Sequence, residues 1–117
     1  MKISYYLLFF HLLLNSCFGQ DCKQIPNHFN SYNEAISFVK KATFKYKDFA
    51  NTSESSWIRA ASYFSCDGEK GYFILRTDRQ EYLHSEVPIS LWREFKNASS
   101  FGSFYDRNIK GRYKFNL

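Results

Sequence analysis

Three side chains capable of acid-base chemistry occur at alternate positions of one short segment. Tyr82, His84 and Glu86 carry a phenol, an imidazole and a carboxylate. Residues two apart on a β-strand point to the same face, so these groups could converge on a ligand. The alternative is a half-buried sheet face on which neighbouring groups satisfy the histidine. A lone histidine without a nucleophile or a second acid does not define an active site.

A second candidate site lies near the C-terminus, where cations alternate with aromatic rings. The cations are Arg107, Lys110, Arg112 and Lys114, and the rings are Phe104, Tyr105, Tyr113 and Phe115. Proteins that bind single-stranded nucleic acids combine cations along the phosphates with rings that stack on bases. An amphipathic strand with its rings inward would show the same alternation. The run Asn108-Ile109-Lys110-Gly111 predicts either an anion-binding turn or a tight turn that needs the glycine.

The acidic residues and cysteines argue against catalysis. Asp67, Glu69 and Asp78 fall in predicted hairpin turns, and no carboxylate pair is placed for general acid-base chemistry. Cys22 and Cys66 lack the spacing of a redox CxxC pair or of a zinc site. In an oxidising compartment such a pair is most simply a disulfide. The chain is therefore predicted to be non-enzymatic and to need no metal or cofactor.

Residues 1–19 have the features of a signal peptide. Lys2 precedes the apolar run from Tyr5 to Leu14, which is too short to span a bilayer. Cleavage at the end of this segment would release a free protein. Alternatively, Leu14-Asn15-Ser16-Cys17 resembles a bacterial lipobox, whose use would anchor the protein through a lipid on Cys17. Both routes predict an exported protein that is periplasmic, outer-membrane-associated or extracellular.

The hydrophobic pattern predicts an α+β fold in a single domain after the signal peptide. The chain has 117 residues, 21% of them aromatic, and a formal net charge of +5. Large rings can fill the core of so small a domain, and the modest positive charge permits anionic partners. The expected architecture is a small antiparallel β-meander of three to four strands packed with two helices.

The elements of this fold follow from local signals. Ser31-Tyr32-Asn33-Glu34 matches a capping box and starts a helix that runs to about residue 42. Strands are expected over 56–66, 72–77 and 81–87, separated by turns, with a short strand or extended segment over 43–49. Pro88 is expected in the first turn of a second helix, which ends near 97–100. The pattern then predicts an aromatic segment with a Gly102 hinge and, over 112–115, a final strand or extended tail.

Several short motifs occur in a fixed order from about residue 55 to residue 115. They are Ser56-Trp57-Ile58-Arg59, Gly71-Tyr72, Glu81-Tyr82-Leu83-His84 before Val87-Pro88, the run from Asn97 to Tyr105, and Asn108-Ile109-Lys110-Gly111-Arg112-Tyr113. Together they resemble the KTSC domain, a family named for the C-terminal extension of some lysyl-tRNA synthetases. The family has a Tyr-x-Tyr pair where this chain has Tyr82-Leu83-His84. The resemblance implies a small antiparallel sheet with a packed helix and suggests RNA binding.

These observations predict a secreted, non-enzymatic binding module. The chain divides into a signal peptide (1–19), an extension with one helix (20–54) and a KTSC-like domain (55–117). The expected ligand is an anionic polymer or a protein, and the alternative is a nucleic acid, RNA or DNA. The residues expected to bind it are Tyr82, His84, Tyr105, Arg107, Lys110 and Arg112.

Overall fold

The computed structural model describes residues 21–117. The predicted signal peptide and the Cys17 lipobox lie outside the described residues. Four strands form one antiparallel sheet in the order β1-β2-β3-β4: β1 (Tyr46–Ala50), β2 (Ala60–Ser65), β3 (Lys70–Arg76) and β4 (Glu81–Pro88). Each strand pairs with the next one along the chain. The predicted meander is confirmed, and the segment over 43–49 supplies its first strand.

The turn between β2 and β3 is built by the Asp67 carboxylate. It accepts hydrogen bonds from the backbone N–H groups of Glu69 and Lys70, at 2.8 and 3.1 Å. These bonds hold the pKa of Asp67 below its ordinary value. Gly68 has a φ of 79°, a conformation that glycine adopts without steric cost. The predicted Asp-Gly hairpin is therefore present.

Three helices pack on this sheet: α1 (Tyr32–Lys41), α2 (Ile89–Lys96) and α3 (Phe101–Asn108). As predicted, the Ser31 hydroxyl caps α1 by accepting from Glu34 N. The Glu34 carboxylate in turn accepts from Asn30 N. Pro88 was expected inside the first turn of α2, but it precedes that helix as its N-cap and closes β4.

The third helix differs from the sequence prediction of an aromatic segment with a glycine hinge. The Ser100 side chain accepts from Ser103 N and so caps the new helix. Tyr105 and Ile109, four residues apart, are buried against the sheet. This burial stabilises a helix that glycine alone would disfavour. The last residues form no full strand, and one antiparallel bridge joins Lys114 to His84, so the extended-tail alternative is correct.

The sheet is covered on both faces. On one face, α2 and α3 bury a core that includes Tyr63, Phe73, Trp92, Phe95 and Tyr105. On the other face, α1 covers a second core, which consists of Phe29, Ala35, Ile36, Val39, Phe64, Ile74 and Leu83. The extension over 20–54 thus contributes a strand and a helix to the same α+β unit.

The predicted disulfide is present between Cys22 and Cys66, with Cα atoms 5.8 Å apart. It ties the segment that leads into α1 to the end of β2. Among the helices of residues 21–117, none is long and apolar enough to cross a bilayer.

Candidate functional site

His84 lies on β4 in the core beneath α3 and the C-terminal tail, with 6% of its surface exposed. Its Nδ1 lies 3.0 Å from the carbonyl oxygen of Tyr113, and its Nε2 lies 2.7 Å from the Tyr105 hydroxyl. A carbonyl can only accept, so Nδ1 donates and Nε2 accepts from Tyr105. Burial lowers the pKa of His84, although the bond to Tyr113 works in the opposite direction. The imidazole is therefore neutral, and both of its nitrogens are engaged.

Tyr105 is a core residue, with 3% of its surface exposed. Its ring stacks on Phe73 with centroids 6.1 Å apart, and it meets Trp57 edge to face. Burial raises the pKa of its hydroxyl well above the ordinary value. The sequence predicts Tyr105 and His84 as ligand-binding residues from two separate patterns, and in the structure they are bonded to each other inside the fold.

The expected convergence of Tyr82, His84 and Glu86 does not occur. Tyr82 is half-buried beside the same core as His84. Between the pairs Phe73–His84 and Gly71–Val87 the register shifts, which gives β4 an extra residue. Glu86 sits in this bulge with a φ of 61° and forms an ion pair with Lys70 at 2.7 Å. The bulge breaks the strict alternation on which the prediction depended.

The four cations near the C-terminus all lie on the surface of the protein. We call Arg107, Lys110, Arg112 and Lys114 the basic segment; all four are exposed. The ion pairs among residues 21–117 involve other cations, namely Lys40, Arg59, Lys70 and Lys96. The segment therefore presents its charge to solvent without a carboxylate partner from the described chain.

The backbone of the basic segment is a tight turn that follows α3. Lys110 N donates to Tyr105 O at 2.9 Å, and Arg112 N donates to Ile109 O at 3.1 Å. Gly111 has a φ of 81°, and a Cβ there would meet no neighbouring atom, so backbone conformation alone favours glycine. The tight-turn alternative thus describes this segment.

The rings that alternate with these cations point into the protein. Tyr113 and Phe104 pack against the core beneath α2 and α3, and Phe115 packs against the core beneath α1. The Phe115 ring lies 6.0 Å from Phe29 and 6.4 Å from Tyr32. The cations therefore face outward and the rings inward, as the amphipathic alternative predicts. The segment that shows this pattern is a turn and a tail, not a strand.

Two sets of polar contacts between distant parts of the fold have no signal in the sequence. The Asp48 carboxylate accepts from Trp92 Nε1 at 2.8 Å and from Lys96 Nζ at 2.7 Å, which ties β1 to α2. Partial burial raises the pKa of Asp48, but the hydrogen bonds to its carboxylate lower it by more, so the pKa lies below its ordinary value. The Tyr32 hydroxyl bonds the backbone N–H and carbonyl of Leu83 and so caps the free edge of β4. Each contact joins residues more than 40 positions apart.

One group of described residues has ligand atoms close enough together for a metal ion. It consists of Asp21, Cys22 and Cys66. Both sulfurs are joined in the disulfide and cannot act as thiolate ligands. This group therefore does not form a metal centre.

The fold and these contacts define a small disulfide-bonded α+β domain with a buried histidine and a basic C-terminal segment. The sequence model of the KTSC domain matches residues 74–113. This match runs from β3 to the tail and bears out the resemblance of this part of the chain to the KTSC domain. Neither the curated proteins nor the solved structures gave a match to the chain.

Proposed function

We propose that this chain is an exported, non-enzymatic binding module whose basic segment binds an anionic polymer. The observation that carries the proposal is the exposure of four cations within eight positions, free of ion pairs with the described carboxylates. Such a cluster attracts polyanions by releasing their counterions. The turn at Gly111 connects Arg107 and Lys110 to Arg112 and Lys114 within a short stretch of backbone.

The state of His84 supports a binding role over catalysis. A general base must offer a free lone pair within reach of the substrate. The Nε2 lone pair of His84 already accepts from Tyr105, and the side chain is buried. The Cys22–Cys66 disulfide supports export, because such bridges persist in oxidising compartments.

The inward rings favour a purely electrostatic mode of binding. Stacking on nucleic-acid bases needs rings that are open to solvent. Tyr105 is buried, and Tyr113 and Phe115 are half-buried against the two cores. A nucleic acid would therefore bind this segment through its phosphates alone, as any other polyanion would.

Two triple variants with the same change of net charge test this proposal. Arg107→Ala/Lys110→Ala/Arg112→Ala should weaken binding to heparin and to poly(dT) by about tenfold to a hundredfold, and should flatten the slope of log affinity against log salt. The control, Lys41→Ala/Lys45→Ala/Arg79→Ala, removes three other exposed cations and should change affinity much less. Equal losses in the two variants, or no binding by the natural chain, would contradict the proposal.

A further inference from the structure

A groove separate from the basic segment lies where β1 leads into the loop before β2. Its volume is about 390 Å³, within the range of about 300–1,000 Å³ typical of ligand sites. Three alanines, Ala50, Ala60 and Ala61, contribute to its lining. Their small side chains leave room for a compact ring.

One wall of the groove is the aromatic ring of Phe49. It is 66% exposed, more than any other large hydrophobic side chain of the described chain. Strand pairing places it opposite Ser62, and alternation places it on the same side of β1 as the exposed Lys47. The residue paired with it, Ser62, is small and leaves most of the ring uncovered. The ring therefore offers a flat apolar surface to a ligand.

Polar groups stand beside that ring. The Asn51 Oδ1 accepts from Ser53 N at 3.1 Å, which fixes the loop and leaves the Asn51 amide nitrogen without a described partner. The Ser53 hydroxyl is likewise not bonded to another described residue. Arg59 also lines the groove, and its guanidinium is bonded to Asp78 at 2.9 and 3.2 Å.

We propose that this groove binds a neutral pyranose ring of an oligosaccharide. A pyranose has an apolar face of C–H groups and a rim of hydroxyls. The C–H face fits the negative face of an aromatic ring. The hydroxyls pair with an amide donor and with a hydroxyl that donates and accepts. Phe49 supplies the first contact, and Asn51 and Ser53 supply the others. The site shares no residue with the basic segment, so the proposal is independent of polyanion binding.

In the first test, the disulfide-bonded chain without its predicted signal peptide is titrated with saccharides. The chemical shifts of its backbone amides monitor binding. The probes are β-linked hexamers of glucose, mannose, galactose and N-acetylglucosamine, each raised to about 10 mM. At least one hexamer is expected to shift the amides of residues 49–53 and 58–61 in a saturable manner. No shift in these amides with any of the four would overturn the proposal.

Variants then identify the contacts. Phe49→Ala should weaken binding by about tenfold or more, whereas Phe49→Tyr keeps the ring and should bind as the natural chain does. Leu117→Ala removes a different exposed apolar side chain, which is 56% exposed and lies outside the groove, and should leave affinity unchanged. Equal weakening by Phe49→Ala and Leu117→Ala would indicate adsorption to any apolar group and would overturn the proposal.

Asn51→Asp separates ligand contact from loop structure. It retains the side-chain oxygen that accepts from Ser53 N but removes the amide donor, so the loop stays folded while saccharide affinity falls severalfold. Unchanged affinity would contradict the proposed contact between Asn51 and the saccharide. Heparin binding by Phe49→Ala should equal that of the natural chain, and this comparison distinguishes failure of the groove from failure of the basic segment.

Discussion

At the scale of single residues, the most consequential group is His84. The strand pattern predicts that it contacts a ligand, with a half-buried sheet face and a satisfied histidine as the alternative. Its two ring nitrogens are occupied by Tyr113 O and the Tyr105 hydroxyl, so it joins β4, α3 and the tail. A group that is buried and neutral in the folded state makes stability depend on pH.

We expect the free energy of unfolding to fall as pH drops below 6.5, the ordinary pKa of histidine. Burial lowers the pKa of His84 in the folded protein, so between the two pKa values the unfolded chain binds more protons. Stability is therefore full above pH 6.5 and declines below it by at most about 1.4 kcal/mol per pH unit.

Denaturant titrations between pH 5 and 8 would measure this slope, with His84→Gln as the control. The variant should be less stable at every pH but should lack the decline. The carboxyls whose pKa values are lowered, Asp48, Asp67 and Asp78, do not titrate in this range. Identical slopes in the two proteins would show that His84 is not the group responsible.

At the scale of elements, α3 shows how a cap and burial together define a helix. The aromatic and glycine composition of 101–105 suggested a hinge, but Ser100 caps the segment and Tyr105 anchors it. The Trp57 indole lies against Gly102, where a Cβ would approach Nε1 to 2.5 Å. The glycine thus serves close packing between the helix and the loop before β2.

Removing the cap should destabilise the protein by a predictable amount. Ser100→Ala loses the bond to Ser103 N and should lower the free energy of unfolding by about 1 kcal/mol. The neighbouring Ser99 is exposed and forms no bond to another described residue, so Ser99→Ala should change stability by less than about 0.5 kcal/mol. Chemical denaturation of both variants measures the difference, and equal effects would contradict the capping role.

At the scale of the whole molecule, one sheet carries helices on both faces, and covalent and polar links hold the layers together. The Cys22–Cys66 bridge joins the start of the described chain to β2. The Tyr32 hydroxyl and the tail cover the free edge of β4. A small domain buries a limited core, so such links carry a large share of its stability.

Loss of the disulfide should therefore destabilise the folded protein. The bridge spans 44 positions, and the chain-entropy relation gives about 4 kcal/mol for a loop of that size. Cys22→Ser/Cys66→Ser should lower the free energy of unfolding by about this amount, measured by guanidinium titration. A loss below about 1 kcal/mol would show that the unfolded chain is already restricted without the bridge.

Local signals in the sequence were sufficient for much of the fold. The helix cap at Ser31, the Asp67-Gly68 hairpin and the strand over 81–87 each depend on residues close in the chain, and each is confirmed. The disulfide followed from the predicted export and from the lack of redox or zinc spacing around Cys22 and Cys66. The basic segment was also visible, because exposed cations need no partner to be recognised.

Which of these side chains face solvent depends on how the elements pack together. His84 and Tyr105 became internal because α3 folds onto β4, and Glu86 left their face because a bulge shifts the register. The groove beside Phe49 depends on the path of a loop between two paired strands. Sequence fixes side-chain chemistry and local periodicity, whereas exposure depends on contacts between distant segments, which no local pattern encodes.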